Sequence, residues 1–311
     1  MRSILVPIDG STLSETAIPV ALAIGRRLGA SRVETVTVMA PAIDPVRAGG
    51  APIRDTRFDH DQRAEAQAMV TSLGKRLAEL SPNLPTRATL LEGDAAERIA
   101  AELAQGDYDL VVMTTHGRSG ASRLWLGSVA DHLVRLSPKP VLLLRDVSSA
   151  TPREGEPLFR DVLIPLELED RSEQILGDAL ALAGEGATYH LLTVVVPTRF
   201  VPPPSALDEL TAAAAAEVGP PAGELGAMRD AATRQLEEVA EGLRQRGVHV
   251  TTHVLVHRHP AEAILAYASE IDARLIAMAS RGRGPARRFL LGSVTDKVVR
   301  GAAVPVLVFA P

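Results

Sequence analysis

The sequence predicts an α/β protein built as two tandem doubly wound domains, each a five-stranded parallel sheet with helices on both faces. Three observations carry this. Short apolar runs such as Leu110-Val111-Val112-Met113 lack polar alternation, as expected of strands covered on both faces. These runs alternate with helical segments, which implies parallel strands joined by right-handed crossovers. Third, residues 112–135 laid over 277–300, at a constant offset of 165, are identical at 12 of 24 positions. Met113/Met278, Gly117/Gly282, Gly127/Gly292, Ser128/Ser293, Val129/Val294 and Asp131/Asp296 are among them. The chain is a tandem duplication.

Taken in order, Ile4 to Ile8 is a strand ending at Asp9, followed by a Gly10-Ser11 turn and a helix through about Leu28. Val33 to Val38 is the second strand, and Pro41 to Phe58, rich in Pro, Gly and Asp, is a long loop. A helix over 59–80, a strand over 86–91, a helix over 95–104, the strand 110–113, a helix over 128–136 and a strand over 141–144 complete the unit. Asp146 to Pro157 is polar and turn-rich and reads as the linker, giving domains 1–146 and 158–311. The pattern restarts at Val162, with offsets of 158 at the first strand, 156 at the second and 165 from the third helix onward. The second copy has therefore gained about nine residues, within Pro197 to Gly226, a segment holding a proline triplet and the run Ala212 to Ala216.

Composition narrows the function. A net charge of −5 gives no basic field to recruit nucleic acid or an anionic membrane, and 3% aromatic residues supply few stacking platforms. The chain has no cysteine, which removes thiolate chemistry and Cys-ligated zinc and suits a reducing compartment. The start lacks the pattern of a signal peptide, and no apolar run approaches membrane-spanning length, so a cytoplasmic location is expected.

The candidate chemistry lies between Leu110 and Val129. An apolar strand runs into a glycine-bearing loop, Gly117 and Gly120, and then into a helix beginning at Gly127-Ser128, whose free N–H groups suit an anion. GxxxxGK[ST] is absent, Gly282-Arg283-Gly284 lacks the third glycine of a dinucleotide fingerprint, and two residues after Ser119 stands Ala121 where a nucleophile elbow needs glycine. His249, His253, His257 and His259 are spaced to share one strand face, too far apart for a common ion except the last two, so they read as a solvated edge-strand face with no metal assigned. His116 sits inside the phosphate loop, and its replacement by Arg281 in the other copy favours anion contact or packing over an indispensable proton transfer. Asp9 has two readings, a ribose or amino partner at the carboxyl edge of the sheet and an Asx turn that caps the first helix.

V-P-I-D-G-S at the first strand, T-V at the second, and M-x-x-H-G, nine residues, G-S-V at the end resemble the nucleotide-binding branch of the universal stress protein family, over nearly all of both halves. The resemblance implies strand order 3-2-1-4-5, ATP as ligand, often with a divalent ion such as Mg2+, and dimerisation along the last strand. It places Asp9 and Val38 at adenine and ribose, Met113 and Thr114 along the nucleoside, and His116, Gly117, Gly127, Ser128 and Val129 at the phosphates. The second copy offers Glu167, Val194, Met278, Ala279, Arg281, Gly282, Gly292, Ser293 and Val294. Two departures stand out: Thr114 and Ala279 replace the first glycine of the family's G-x-x-G, and Glu167 replaces the aspartate.

The function expected is an ATP-binding stress-response module with a regulatory role and no dedicated fast catalysis, since no triad or carboxylate pair accompanies the pocket. The alternatives are a slow ATPase or phosphotransferase, and a structural interaction module that binds no nucleotide. ATP or AMP is the expected small-molecule partner. The halves are expected to pack as a pseudo-dimer through Val141 to Leu144 and Val306 to Phe309, with a homodimer of chains beyond that. The first site is expected to bind more tightly, because Glu167 and Glu169 add bulk and negative charge to the second.

Overall fold

The computed structural model describes residues 3–40, 43–44, 53–54, 56–115, 126–145, 157–167, 174–197, 222–280 and 291–309. The first half runs β1 (Ser3–Pro7), α1 (Thr12–Glu15), α2 (Ala17–Arg27), β2 (Arg32–Met39), β3 (Ile43–Asp44), β4 (Ile53–Arg54), α3 (Thr56–Leu80), β5 (Thr86–Glu92), α4 (Ala95–Gln105), β6 (Leu110–Thr114), α5 (Ser128–Leu136) and β7 (Val141–Leu144). The second runs β8 (Asp161–Pro165), α6 (Gln174–Ala183), β9 (Thr188–Val195), α7 (Ala222–Arg244), β10 (His249–Val256), α8 (Pro260–Glu270), β11 (Leu275–Ala279), α9 (Ser293–Gly301) and β12 (Val306–Phe309).

Ten of these strands form one sheet, ordered β10-β9-β8-β11-β12-β7-β6-β1-β2-β5. Each half has the order 3-2-1-4-5 that the resemblance implied, with every pairing of this sheet inside a half parallel. The halves do not keep separate sheets. β7 and β12 pair antiparallel, with Val306 opposite Leu143, Leu307 opposite Leu142 and Val308 opposite Val141. These strands are aliphatic and would otherwise be exposed edges, so the seam closes both at once. Because the seam reverses strand direction, the carboxyl ends of the two halves lie at opposite edges of the sheet.

Alternation along each strand sorts the core into two layers. Ile4, Val6 and Ile8 face α2 and α3, while Leu5 faces the layer of α4 and α5. Both layers continue across the seam: Leu142 and Leu307 belong to the first, and Leu143, Val306 and Val308 to the second. Phe159, fully buried, brings the chain into the core just before β8. Tyr189 on β9 is also buried and donates to the Gly184 carbonyl at 3.0 Å; burial pushes its hydroxyl up to about 12.

Several expectations change. The first helix breaks at Thr16 because Pro19 has no N–H to bond to Glu15 and its ring crowds that carbonyl, leaving α1 and α2. Within 41–58 the chain forms the antiparallel ribbon β3-β4, and α3 begins at Thr56. The insertion lies largely outside the described residues, but its last residues already belong to α7, whose stripe Ala232, Leu236, Ala240 and Leu243 is buried against the sheet. Linker residues 146–156 lie outside the described residues. β10 is an end strand of the sheet with His249 and His253 exposed, whereas His257 and His259 fall beyond its last residue. There the His259 N–H donates to His257 Nδ1 at 3.0 Å.

Candidate functional site

β1 is the strand at which the order of the first half reverses, since β2 lies on one side of it and β6 on the other. Ligands of open parallel sheets bind outside the carboxyl ends at that point. The Ile8 N–H donates to the Val36 carbonyl at 2.8 Å, extending the sheet by one residue and delivering Asp9 to the edge. Gly10 then turns the chain with φ +80°, a conformation that suits glycine. The Asp9 carboxylate accepts from the Ser11 N–H at 2.9 Å and from its hydroxyl at 2.6 Å, and Ser11 Oγ in turn accepts from the Ser14 N–H at 3.1 Å. The turn reading of Asp9 is therefore realised, and the same side chain lines a cleft. One residue serves both readings.

At β6 the Thr115 N–H donates to the Leu144 carbonyl at 3.0 Å, and the Gly127 N–H donates to the Thr115 carbonyl at 2.8 Å. Thr115 and Gly127 are thus pinned together beside the start of α5. Gly127 spends its own N–H on that closure, so the donors left by helix geometry are those of Ser128, Val129 and Ala130; the first bond within the helix is Asp131 N–H to the Gly127 carbonyl at 2.8 Å. Gly127 has no side chain with which to cap this helix, and among the described residues none caps it. The start of α4 contrasts with it, because Asp94 accepts the Glu97 N–H at 3.0 Å. Positive helix-end potential in the cleft therefore comes chiefly from α5.

The cleft between these elements has a volume of about 280 Å³. Its walls are mostly apolar, from Ile8, Val36, Val38, Ala95, Ile99, Met113, Val129 and Ala130, with Asp9, Ser14, Thr114, Thr115 and Ser128 as polar points. Of the first-copy residues singled out from the sequence, Asp9, Val38, Met113, Thr114, Gly127, Ser128 and Val129 meet here. His116 and Gly117 lie outside the described residues. Sequence reasoning missed Ser14, Val36, Thr115 and the α4 wall of Ala95 and Ile99. Topology held the signal for that wall, because each helix that follows a strand of a parallel sheet starts at the same edge.

The second half repeats the frame with changes. The Leu166 N–H bonds to the Leu192 carbonyl at 2.8 Å, and the Ser280 N–H to that of Phe309 at 2.7 Å. Met278 and Ala279 end β11, Val194 lies near the end of β9, and Glu167 follows β8. Gly292, with φ −58° and ψ 143°, starts α9 as Gly127, with −59° and 151°, starts α5; Ser293 and Val294 follow, again with no side-chain cap among the described residues. The Gly292 N–H goes to the Ser280 hydroxyl at 3.3 Å. Glu167 is turned inward, its Oε2 sealed from solvent. Arg281 and Gly282 lie outside the described residues, and among those described no cluster of three His, Asp or Glu residues is placed to hold a metal ion.

Fold and site together define a tandem doubly wound α/β protein with a mostly apolar cleft at the switch point of its first half. The chain belongs to the universal stress protein family, whose profile matches residues 1–145 and 158–310. A universal stress protein of Methanocaldococcus jannaschii is 31% identical over 158 residues, spanning 50% of this chain and 85% of its own. One from Synechocystis is 24% identical over 326 aligned residues, spanning 99% of this chain and all of the relative. The crystal structure of a universal stress protein from Archaeoglobus fulgidus has the same fold end to end, with a TM-score of 0.67 at 21% identity, covering 99% of this chain and 98% of that one. No described helix is long and apolar enough to cross a membrane.

Proposed function

We propose that the cleft of the first half binds ATP and that the chain works as a nucleotide-loaded regulatory module of the cytoplasmic stress response. The carrying observation is the start of α5, uncapped among the described residues, opening onto a mostly apolar cleft at the switch point. In this reading Val36, Val38, Ile99 and Met113 pack the base and sugar, Asp9 accepts from a ribose hydroxyl, and the phosphates lie on the N–H groups of Ser128, Val129 and Ala130. His116 and Gly117 complete the phosphate contacts, and Thr114 borders the ribose. A magnesium ion would be held by phosphate oxygens and water, with Asp9 the single carboxylate among the described lining residues. The second site takes the same ligand more weakly, through Val194, Met278, Ala279, Arg281, Gly282, Gly292, Ser293 and Val294.

Mass spectrometry of nucleotide released from freshly purified protein is the test. ATP is expected, and protein free of any nucleotide that also fails to bind added ATP overturns the proposal. Gly127→Val adds a branched side chain to the cleft wall at a backbone conformation open to any residue. It should abolish tight binding at the first site while leaving the fold intact, and calorimetry showing unchanged affinity refutes the placement of the phosphates.

A further inference from the structure

Helices α5 and α9 meet across the seam through four charged side chains. Arg135 donates to Asp131 on its own helix at 2.9 and 3.0 Å, and Arg300 to Asp296 at 3.0 Å. Two further contacts cross between the halves: Arg300 Nη2 to Asp131 Oδ1 at 3.3 Å, and Arg135 Nη2 to Asp296 Oδ1 at 3.7 Å. Arg145, at the end of β7, donates to the carbonyls of Val299 and Arg300 and ties the last turn of α9 to the first half. The four charged side chains are between 26% and 33% exposed, enough shielding for charge balance among them to matter.

Each aspartate sits in the first turn of the helix whose start forms a candidate phosphate site. Asp131 lies about 6 Å along the axis from Gly127. An unbalanced carboxylate there repels a bound phosphate and cancels part of the helix-end potential. Arg135 offsets it from within the same half, and Arg300 offsets it from the other half.

We infer that Arg300 raises the anion affinity of the first cleft, and Arg135 that of the second, each adding to the arginine already paired within the half, so that each phosphate site reaches full strength only when the opposite half is docked. This rests on the nucleotide reading of the cleft. Both arginines act through an aspartate and are positioning residues. Losing Arg300 should weaken triphosphate binding at the first cleft by about three- to tenfold.

The test is calorimetric titration of ATP into the full chain carrying Gly292→Val, which silences the second site, and into the same chain with Arg300→Gln, with Asp131→Asn, and with both. Arg300→Gln should weaken binding, with a loss that shrinks as salt rises from about 0.05 to about 0.5 M. Asp131→Asn should bind at least as tightly as the parent, and the double variant should return to parental affinity. Unchanged affinity in Arg300→Gln, or weakening in Asp131→Asn, overturns the inference. If Arg300→Gln fails to fold, Asp131→Asn must bind more tightly than the parent, because removing a carboxylate that repels the phosphates strengthens binding, whereas a purely structural cluster gives no gain and overturns the inference. A parent chain that binds no ATP overturns the nucleotide reading and the inference with it, a result distinct from a binding parent whose variants match it.

Discussion

Replacing Leu307 with alanine asks whether the seam makes the two halves one folding unit. Leu307 is 1% exposed, lies opposite Leu142, which is fully buried, and belongs to a core layer shared by both halves. Truncating a buried leucine costs about 3 kcal/mol, part lost transfer energy and part cavity. How that cost appears on heating depends on how much chain melts together. Unfolding all 311 residues at once releases about 650 cal/mol/K, so the midpoint falls by about 5 °C. If the halves melt apart, the entropy of the affected transition is about half as large, its midpoint falls by about 9 °C, and the other transition stays where it was. Scanning calorimetry reads both quantities. One transition, displaced by the smaller amount, is the expected result. Two transitions with only one displaced refute the argument that the continuous layers unite the halves.

Asp9→Asn keeps an oxygen for the Ser11 turn while removing the charge, and it should cost more ATP affinity than Glu167→Gln, by about tenfold; calorimetry showing the reverse order refutes the ranking of the two sites. Stability should also fall in alkali. Tyr189 keeps its proton in the fold up to about 12, and burial and the neighbouring Glu34 hold Tyr108 higher still, whereas the unfolded chain releases both near pH 10. The unfolded state therefore binds fewer protons above pH 10, and stability declines as pH rises from there toward 12. Denaturant melts at pH 9 and 11 check this, and Tyr189→Phe should flatten the decline. Equal midpoints at the two pH values count against it.

Much of the fold was legible because its signals are local. Unbroken aliphatic runs such as Val141 to Leu144, short and bounded by turn residues, read as doubly covered strands, and two copies of one pattern fix which segments correspond. The break at Thr16 was legible too, in Pro19, but a steady apolar periodicity across it hid the lost hydrogen bond. The cleft was legible where its residues fall within a motif, as Met113 and Gly127 do. Ser14, Thr115 and the α4 wall carry no motif and reach the cleft through crossover geometry, which appears once strands are ordered. The Gly127 N–H looked available for phosphate because its bond to the Thr115 carbonyl spans a loop and has no sequence signature. Asp131 and Arg300 stand 169 positions apart, and only the antiparallel junction of β7 and β12 makes them neighbours.

That junction also decides what the chain presents to other molecules. β1 and β8 are five strand spacings apart, about 24 Å, and point in opposite directions. No single small molecule can bridge their mouths, and no group delivered at one reaches a ligand held at the other. Two copies of a partner that reads one mouth would sit at opposite edges of the sheet. Occupancy at both ends then becomes a linkage between those copies, with a strength governed by valency and spacing.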